Sequence, residues 1–204
     1  MHFQKLIVKK FFTGLMLAFI LFAFSFIHKT KTENLIIDIQ PLTGISQNDV
    51  QYIYTEIKKV YPFVELKNTV NLPRSAYYPK RNRYRADSLI NFLSRETKEN
   101  HVTIGITNKD ISTTKGSITD WGVMGLGFCP GKACIASTFR LEKNKKLIQL
   151  YKVALHELGH TQGLGHCNDR SCFMRDAEGK NPMDEEKNFC LPCKSKLIAK
   201  GWKF

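Results

Sequence analysis

Eleven residues constrain this chain more than any others. They read His156-Glu157-Leu158-Gly159-His160-Thr161-Gln162-Gly163-Leu164-Gly165-His166. Leu147, Leu150, Tyr151, Ala154, Leu155 and Leu158 recur at helical spacing, which predicts a helix over 145–162. His156 and His160 then leave one face of that helix a turn apart, so two ring nitrogens can meet one metal ion. Glu157 points to a neighbouring direction, near the ion but off the ligand face. Gly163 can end the helix with positive φ, and Gly165 frees the turn that follows. His166 can swing back under the ion. Three imidazoles with an open fourth position describe a catalytic zinc site. Co²⁺ and Ni²⁺ suit the same donors. A random chain of this length shows the full pattern about once in 10⁵. His2, His28 and His101 have no such partners and read as ordinary histidines.

The surrounding pattern is that of one α+β domain. Leu35–Ile39, Phe63–Leu72, His101–Ile106 and Ala133–Phe139 read as strands. Ser46 is the expected N-cap of a helix to about Val60, and Arg85–Arg95 reads as another helix. Residues 73–85 are expected to be loop. Residues 112–131 are rich in Gly, Ser and Thr and fit a Gly-rich edge strand and turn. A short helix is expected near Lys194–Lys200. The chain of 204 residues is 43% hydrophobic and 24% charged, which excludes a disordered chain and a bundle of membrane helices. Its six cysteines are too few for a disulfide-built mini-protein and enough for a metal site.

The N-terminus reads as a targeting or anchoring segment spanning residues 1–30. Phe11 to Ile27 form an apolar run without charge, preceded by Lys5, Lys9 and Lys10. Ala23 and Ser25 fit a signal-peptidase site. Bulky Phe24, Phe26 and Ile27 favour a retained anchor instead. Either way the domain at 31–204 is expected outside the cytoplasm. It is membrane-anchored by that single segment, or secreted or periplasmic after cleavage.

After His166 the chain continues Cys167-x4-Cys172-x-Met174 and later Cys190-x2-Cys193. With the long histidine motif, this combination resembles the archaemetzincin branch of the metzincin metallopeptidases. The resemblance covers essentially the whole chain after the leader, which is itself a departure from the family pattern. It implies a zincin-like domain: a twisted mixed sheet whose antiparallel edge strand packs on the active-site helix. A small Cys-rich zinc subdomain would occupy about 164–204. Cys167, Cys172, Cys190 and Cys193 would hold a structural Zn²⁺, making two zinc ions per chain. The bare spacing also fits a zinc site, with two disulfides as the competing reading. Met174 would be the methionine of the turn beneath the catalytic metal, an apolar floor that does not ligate. Cys129 and Cys134 flank Pro130-Gly131 and are expected to form a disulfide.

The function expected from these residues is zinc-dependent hydrolysis of peptide bonds. A zinc-bound water would attack the scissile carbonyl, with Glu157 as general base. The substrate would be a peptide or protein in extended conformation, laid along the edge strand within 118–139. The alternative is a catalytically weak, zinc-dependent peptide- or surface-binding protein of the cell envelope. The net charge of +13 suggests an anionic neighbour without naming one. Arg74, Lys80, Arg81, Arg83 and Arg85 interleave with tyrosines, but they read as solvated surface or attraction to anionic lipid or acidic peptide; no nucleic-acid partner is expected. A monomer is expected.

Overall fold

The structure is a computed structural model that describes residues 34–204, which form one compact unit. The apolar run over 11–27, and with it the choice between signal and anchor, lies outside the described residues. The expectation of a transmembrane anchor and of a membrane-anchored, extracytoplasmic chain is corrected. Among the described residues, no helix is long and apolar enough to cross a membrane.

Five strands make the main sheet: β1 (Ile36–Pro41), β2 (Val64–Leu66), β5 (His101–Thr107), β8 (Gly125–Gly127) and β9 (Ala133–Ser137). Their order is β2-β1-β5-β9-β8, parallel except for β8, which pairs antiparallel with β9 at the edge. The expected mixed sheet with an antiparallel edge strand is therefore present.

Helices cover both faces. On one side lie α1 (Gln47–Val60), capped by the Ser46 side chain as expected, and α3 (Lys146–Thr161). Ile37, Ile39, Ile104, Ile106, Cys134 and Ala136 pack there against Val50, Ile53, Ile57, Leu150, Ala154 and Leu158. On the other side α2 (Ala86–Glu96) lays Leu89, Ile90 and Leu93 against Ala133 and Ile135. All five residues of β9 are buried, because this central strand meets a core on each face. Gly105 of β5 belongs to the same logic. A Cβ there would stand 2.7 Å from both Ile135 Cδ1 and Leu93 Cδ1.

Three sequence expectations change. The strand expected over Phe63–Leu72 is regular only at β2. Beyond it Gln40 Nε2 donates to Asn68 O at 2.6 Å, and the chain rejoins the β1 side through a bridge between Leu42 and Val70. The loop expected at 73–85 contains β3 (Tyr77–Tyr78) and β4 (Arg83–Arg85). With the hairpin of β6 (Ile111–Lys115) and β7 (Ile118–Val123) they form a second sheet, ordered β3-β4-β6-β7. Its arginines are structural. Arg83 contacts Asp110 at 2.6 Å and Asp120 at 3.0 Å, and Arg85 donates to Thr119 O and Thr114. The C-terminal helix α4 begins earlier than expected, at Leu191, and runs to Ile198.

The Cys129–Cys134 disulfide is also corrected. Both thiols are free. Cys134 lies within β9 opposite Gly127 and points into the core. Exposed Cys129 donates instead to Leu164 O at 3.3 Å. Strand pairing directs the two side chains to different neighbours.

Candidate metal centres and the cleft around them

Helix α3 carries His156, Glu157 and His160 on its last turns. Gln162 caps it, with its N–H directed to the carbonyls of Leu158 and Gly159. Gly163 follows at φ 85° and Leu164 N–H returns to Gly159 O at 3.0 Å, a glycine-terminated helix end. This reversal brings His166 back. Its ring centroid lies 5.4 Å from that of His156 and 4.9 Å from that of His160. One nitrogen from each of the three rings falls within 4.8 Å of the others.

The orientation of the rings tests whether a metal fits. His156 Nδ1 donates to Phe173 O at 2.6 Å, and His160 Nδ1 donates to Leu164 O at 2.8 Å. With those protons committed, each Nε2 is an unprotonated acceptor. The two Nε2 atoms nevertheless lie 3.0 Å apart. Two facing lone pairs at that distance repel unless a cation lies between them. Nitrogens about 2.0–2.1 Å from a tetrahedral zinc sit roughly 3.3 Å apart, so the donor set fits the ion. Burial, followed by the neighbouring His160 ring, lowers the His156 pKa to about 4, which keeps its ring neutral and ready to ligate. His166 is more exposed, and its Nδ1 lies 3.4 Å from Asp176 Oδ2. A carboxylate behind a ligating histidine is a common orienting partner.

Glu157 lies with its carboxyl against β8 and lines the same cleft as the three histidines. It is 7% exposed, and burial pushes its carboxyl up to about 8. Two glycines make room for it. A Cβ at Gly125 would lie 2.5 Å from Glu157 Oε1, and one at Gly127 2.7 Å from the Glu157 carbonyl. The Gly-rich edge strand is thus pressed flush against the helix. A divalent cation beside this carboxyl pulls its pKa back down, since opposite charge favours the ionised form.

Met174 lies beneath the helix. It is fully buried, and a Cβ at Gly159 would stand 2.4 Å from its Sδ. The middle of the helical motif is therefore glycine because the methionine fills the space a side chain would need. Next to it the four cysteine sulfurs gather within 4.8 Å of one another, with Cys167 and Cys190 at 3.6 Å. Four thiolates about 2.3 Å from zinc sit roughly 3.8 Å apart, whereas a disulfide needs about 2.05 Å. All four are free thiols, so the geometry fits the metal and not the disulfide reading. Cys193 and Cys172 are buried, which pushes the Cys172 thiol up to about 11 in the absence of a cation.

The two clusters share one tripeptide. Cys172 contributes a sulfur, Phe173 the carbonyl that orients His156, and Met174 the floor. Sequence spacing places the ligands but not the Phe173 and Leu164 carbonyls, which carry no side-chain signature. It also missed Asp176 and Glu186, both lining the cleft that holds the histidines. That cleft has a volume of about 680 Å³ and opens along β8.

Comparison with known proteins follows the same lines. The model of peptidase family M54 matches residues 23–199. An archaemetzincin of Methanopyrus kandleri is 33% identical over 67% of this chain and 78% of its own length. One of Halobacterium salinarum is 29% identical over 77% of this chain and 96% of its own. Among solved structures, the archaemetzincin of Archaeoglobus fulgidus, complexed with malonate, is 28% identical. It superposes with a TM-score of 0.67 over 78% of this chain and 98% of its own. That of Methanopyrus kandleri is 26% identical, with a TM-score of 0.69 over 83% of this chain and 97% of its own. The chain belongs to peptidase family M54, the archaemetzincins, and is a zinc metallopeptidase acting on peptides or proteins.

Proposed function

We propose that His156, His160 and His166 hold the catalytic zinc and that Glu157 is the general base of peptide-bond hydrolysis. The observation that carries this reading is the pair of facing Nε2 atoms, 3.0 Å apart, each with its other nitrogen tied to a carbonyl. Zinc, when bound there, supplies a Lewis acid that polarises a carbonyl and lowers the pKa of water from about 15.7 towards 7. Glu157 takes a proton from the attacking water and hands it to the leaving amine nitrogen. Its burial against Gly125 and Gly127 fixes the carboxylate within the cleft rather than letting it swing into solvent. The substrate lies extended along the free edge of β8, where backbone hydrogen bonds align the scissile bond irrespective of side chain.

Cys167, Cys172, Cys190 and Cys193 hold a second, structural zinc, which makes two per chain. Residues 31–204 act as one peptidase domain, with 164–204 as its zinc-binding part. Met174 packs beneath the imidazoles without ligating. A purely peptide-binding role is not favoured, since such a protein gains nothing from a buried carboxylate beside three ligands. The experiment is cleavage of a peptide library by the zinc-loaded chain and by Glu157→Gln in parallel. Wild-type hydrolysis lost on chelation, restored by Zn²⁺ and absent from a zinc-retaining variant supports the reading. Equal hydrolysis by both proteins overturns it.

A further inference from the structure

The cleft contains a second carboxylate that hydrolysis does not use. Glu186 lines the same cavity as the three histidines, and the residue is only 6% exposed. Among the described residues, no hydrogen bond or ion pair reaches its carboxyl oxygens. Its position is nevertheless rigid. Lys152 Nζ donates to the Glu186 and Met183 carbonyls, each at 2.5 Å. Lys187 N–H donates to Ser171 O at 2.8 Å. The neighbouring Glu185 turns outward to Arg175 at 2.9 Å and Arg170 at 3.1 Å. Lys152 precedes His156 by one helical turn, about 6 Å along the axis. The segment bearing Glu186 is therefore pinned to the helix that carries His156 and His160, at a residue one turn before them.

A carboxylate largely removed from bulk water and without a protein partner costs more free energy than glutamine or leucine at the same place. Burial pushes the Glu186 pKa up to about 7, despite the nearby positive charges of Lys152 and Arg175. Neither cation relieves it. Lys152 spends two of its three donors on backbone carbonyls, and Arg175 is engaged by Glu185. Glu186 thus lines the cleft with its acceptor capacity unspent. Lys152 holds the wall and leaves the recognition to the carboxylate.

We propose that Glu186 is the specificity-determining residue of a subsite next to the scissile bond, and that this subsite takes a basic side chain, lysine or arginine, of the substrate. The inference rests on the peptidase reading for its setting. Lys115, Arg140, Lys152, Arg175 and Lys180 also line the cleft, but Arg140 is paired with Asp110, Arg175 with Glu185 and Lys152 with two carbonyls, and charges beyond about 8–10 Å are screened at physiological salt. A site built to accept donors discriminates against analogues that lack them, since its own polar group is then left unpaired.

The test uses matched fluorogenic peptides carrying lysine, norleucine or glutamate at each position flanking the cleaved bond. The full zinc-loaded chain and Glu186→Gln are compared by the ratio of kcat/KM for lysine over norleucine. At one position the wild type should favour lysine by roughly tenfold or more, and Glu186→Gln should bring the ratio close to one. The ratio is internal to each protein, so partial loss of folded material does not change it. In parallel, anisotropy measures binding of the labelled lysine and norleucine peptides to Glu157→Gln and to Glu157→Gln/Glu186→Gln. A wild type indifferent to charge at every position, or a preference that survives Glu186→Gln, overturns the proposal. If no peptide is cleaved, the peptidase reading fails, and the binding ratio alone decides the subsite. A lysine preference lost with Glu186 upholds it, and equal binding sinks it.

Discussion

Gly159→Ala is the perturbation whose outcome most directly tests the packing beneath the histidines. In an exposed helix, replacing glycine by alanine stabilises by about 1 kcal/mol. Here the new Cβ would stand 2.4 Å from Met174 Sδ and 3.2 Å from its Cε, about 1 Å inside the 3.4 Å where ordinary contact begins. Met174 has no exposed surface and cannot swing aside into solvent. Its backbone is held as well, because Cys167 N–H donates to Met174 O at 2.8 Å. Overpacking of this kind costs about 1–3 kcal/mol. The balance is a net loss of up to about 2 kcal/mol, which for a domain of this size lowers Tm by up to roughly 4–8 °C. The zinc affinity of the histidine site should fall with it, since the turn that carries Phe173 O must move. Differential scanning calorimetry and chelator competition measure both. A double-mutant cycle with Met174→Ala isolates the clash: in that background Gly159→Ala should cost about 1–3 kcal/mol less. A stabilised Gly159→Ala with unchanged zinc affinity, or strict additivity in the cycle, refutes the reasoning.

Other outcomes follow from the same contacts. Glu157→Gln should lower kcat by roughly 10²–10⁴-fold while zinc content, read by atomic absorption, stays at the wild-type value. Cys193→Ser should release one zinc per chain. Because Cys172 and the carbonyl orienting His156 are consecutive residues, it should also weaken zinc at the histidine site by about 10–100-fold, measured by competitive chelation. Glu186 has a folded pKa raised to about 7 from 4.5. The folded state then binds its proton more tightly than the unfolded chain. That contribution is fully present below about pH 4.5 and is lost as pH rises towards 7. Relative to Glu186→Gln, the wild-type Tm should therefore decline across that window; parallel Tm profiles would show that the carboxyl is not desolvated.

The parts of this protein legible from sequence are those whose geometry is local. A helix repeats every 3.6 residues, so His156 and His160 share a face in any context, and Gly163 supplies the reversal that returns His166. The four cysteines declare themselves by short spacing and by the scarcity of reasons for such residues to cluster otherwise. Ser46 and the apolar rhythm of α1 likewise depend on neighbours within a turn or two.

What escaped the sequence depends on residues far apart in the chain. The arginines of 83–85 read as surface because nothing local places Asp110 and Asp120 beside them. Cys129 and Cys134 looked ready to bond because linear proximity says nothing of the strand pairing that turns one thiol inward. Glu186 carries no signal in the sequence; its place in the cleft lining comes from Lys152, on another element, which holds its backbone. Local spacing thus names the proposed metal ligands. The carbonyls that aim them, the glycines that admit Glu157 and the carboxylate in the cleft lining arise only where the folded chain meets itself, because each depends on excluded volume and hydrogen bonds between distant segments.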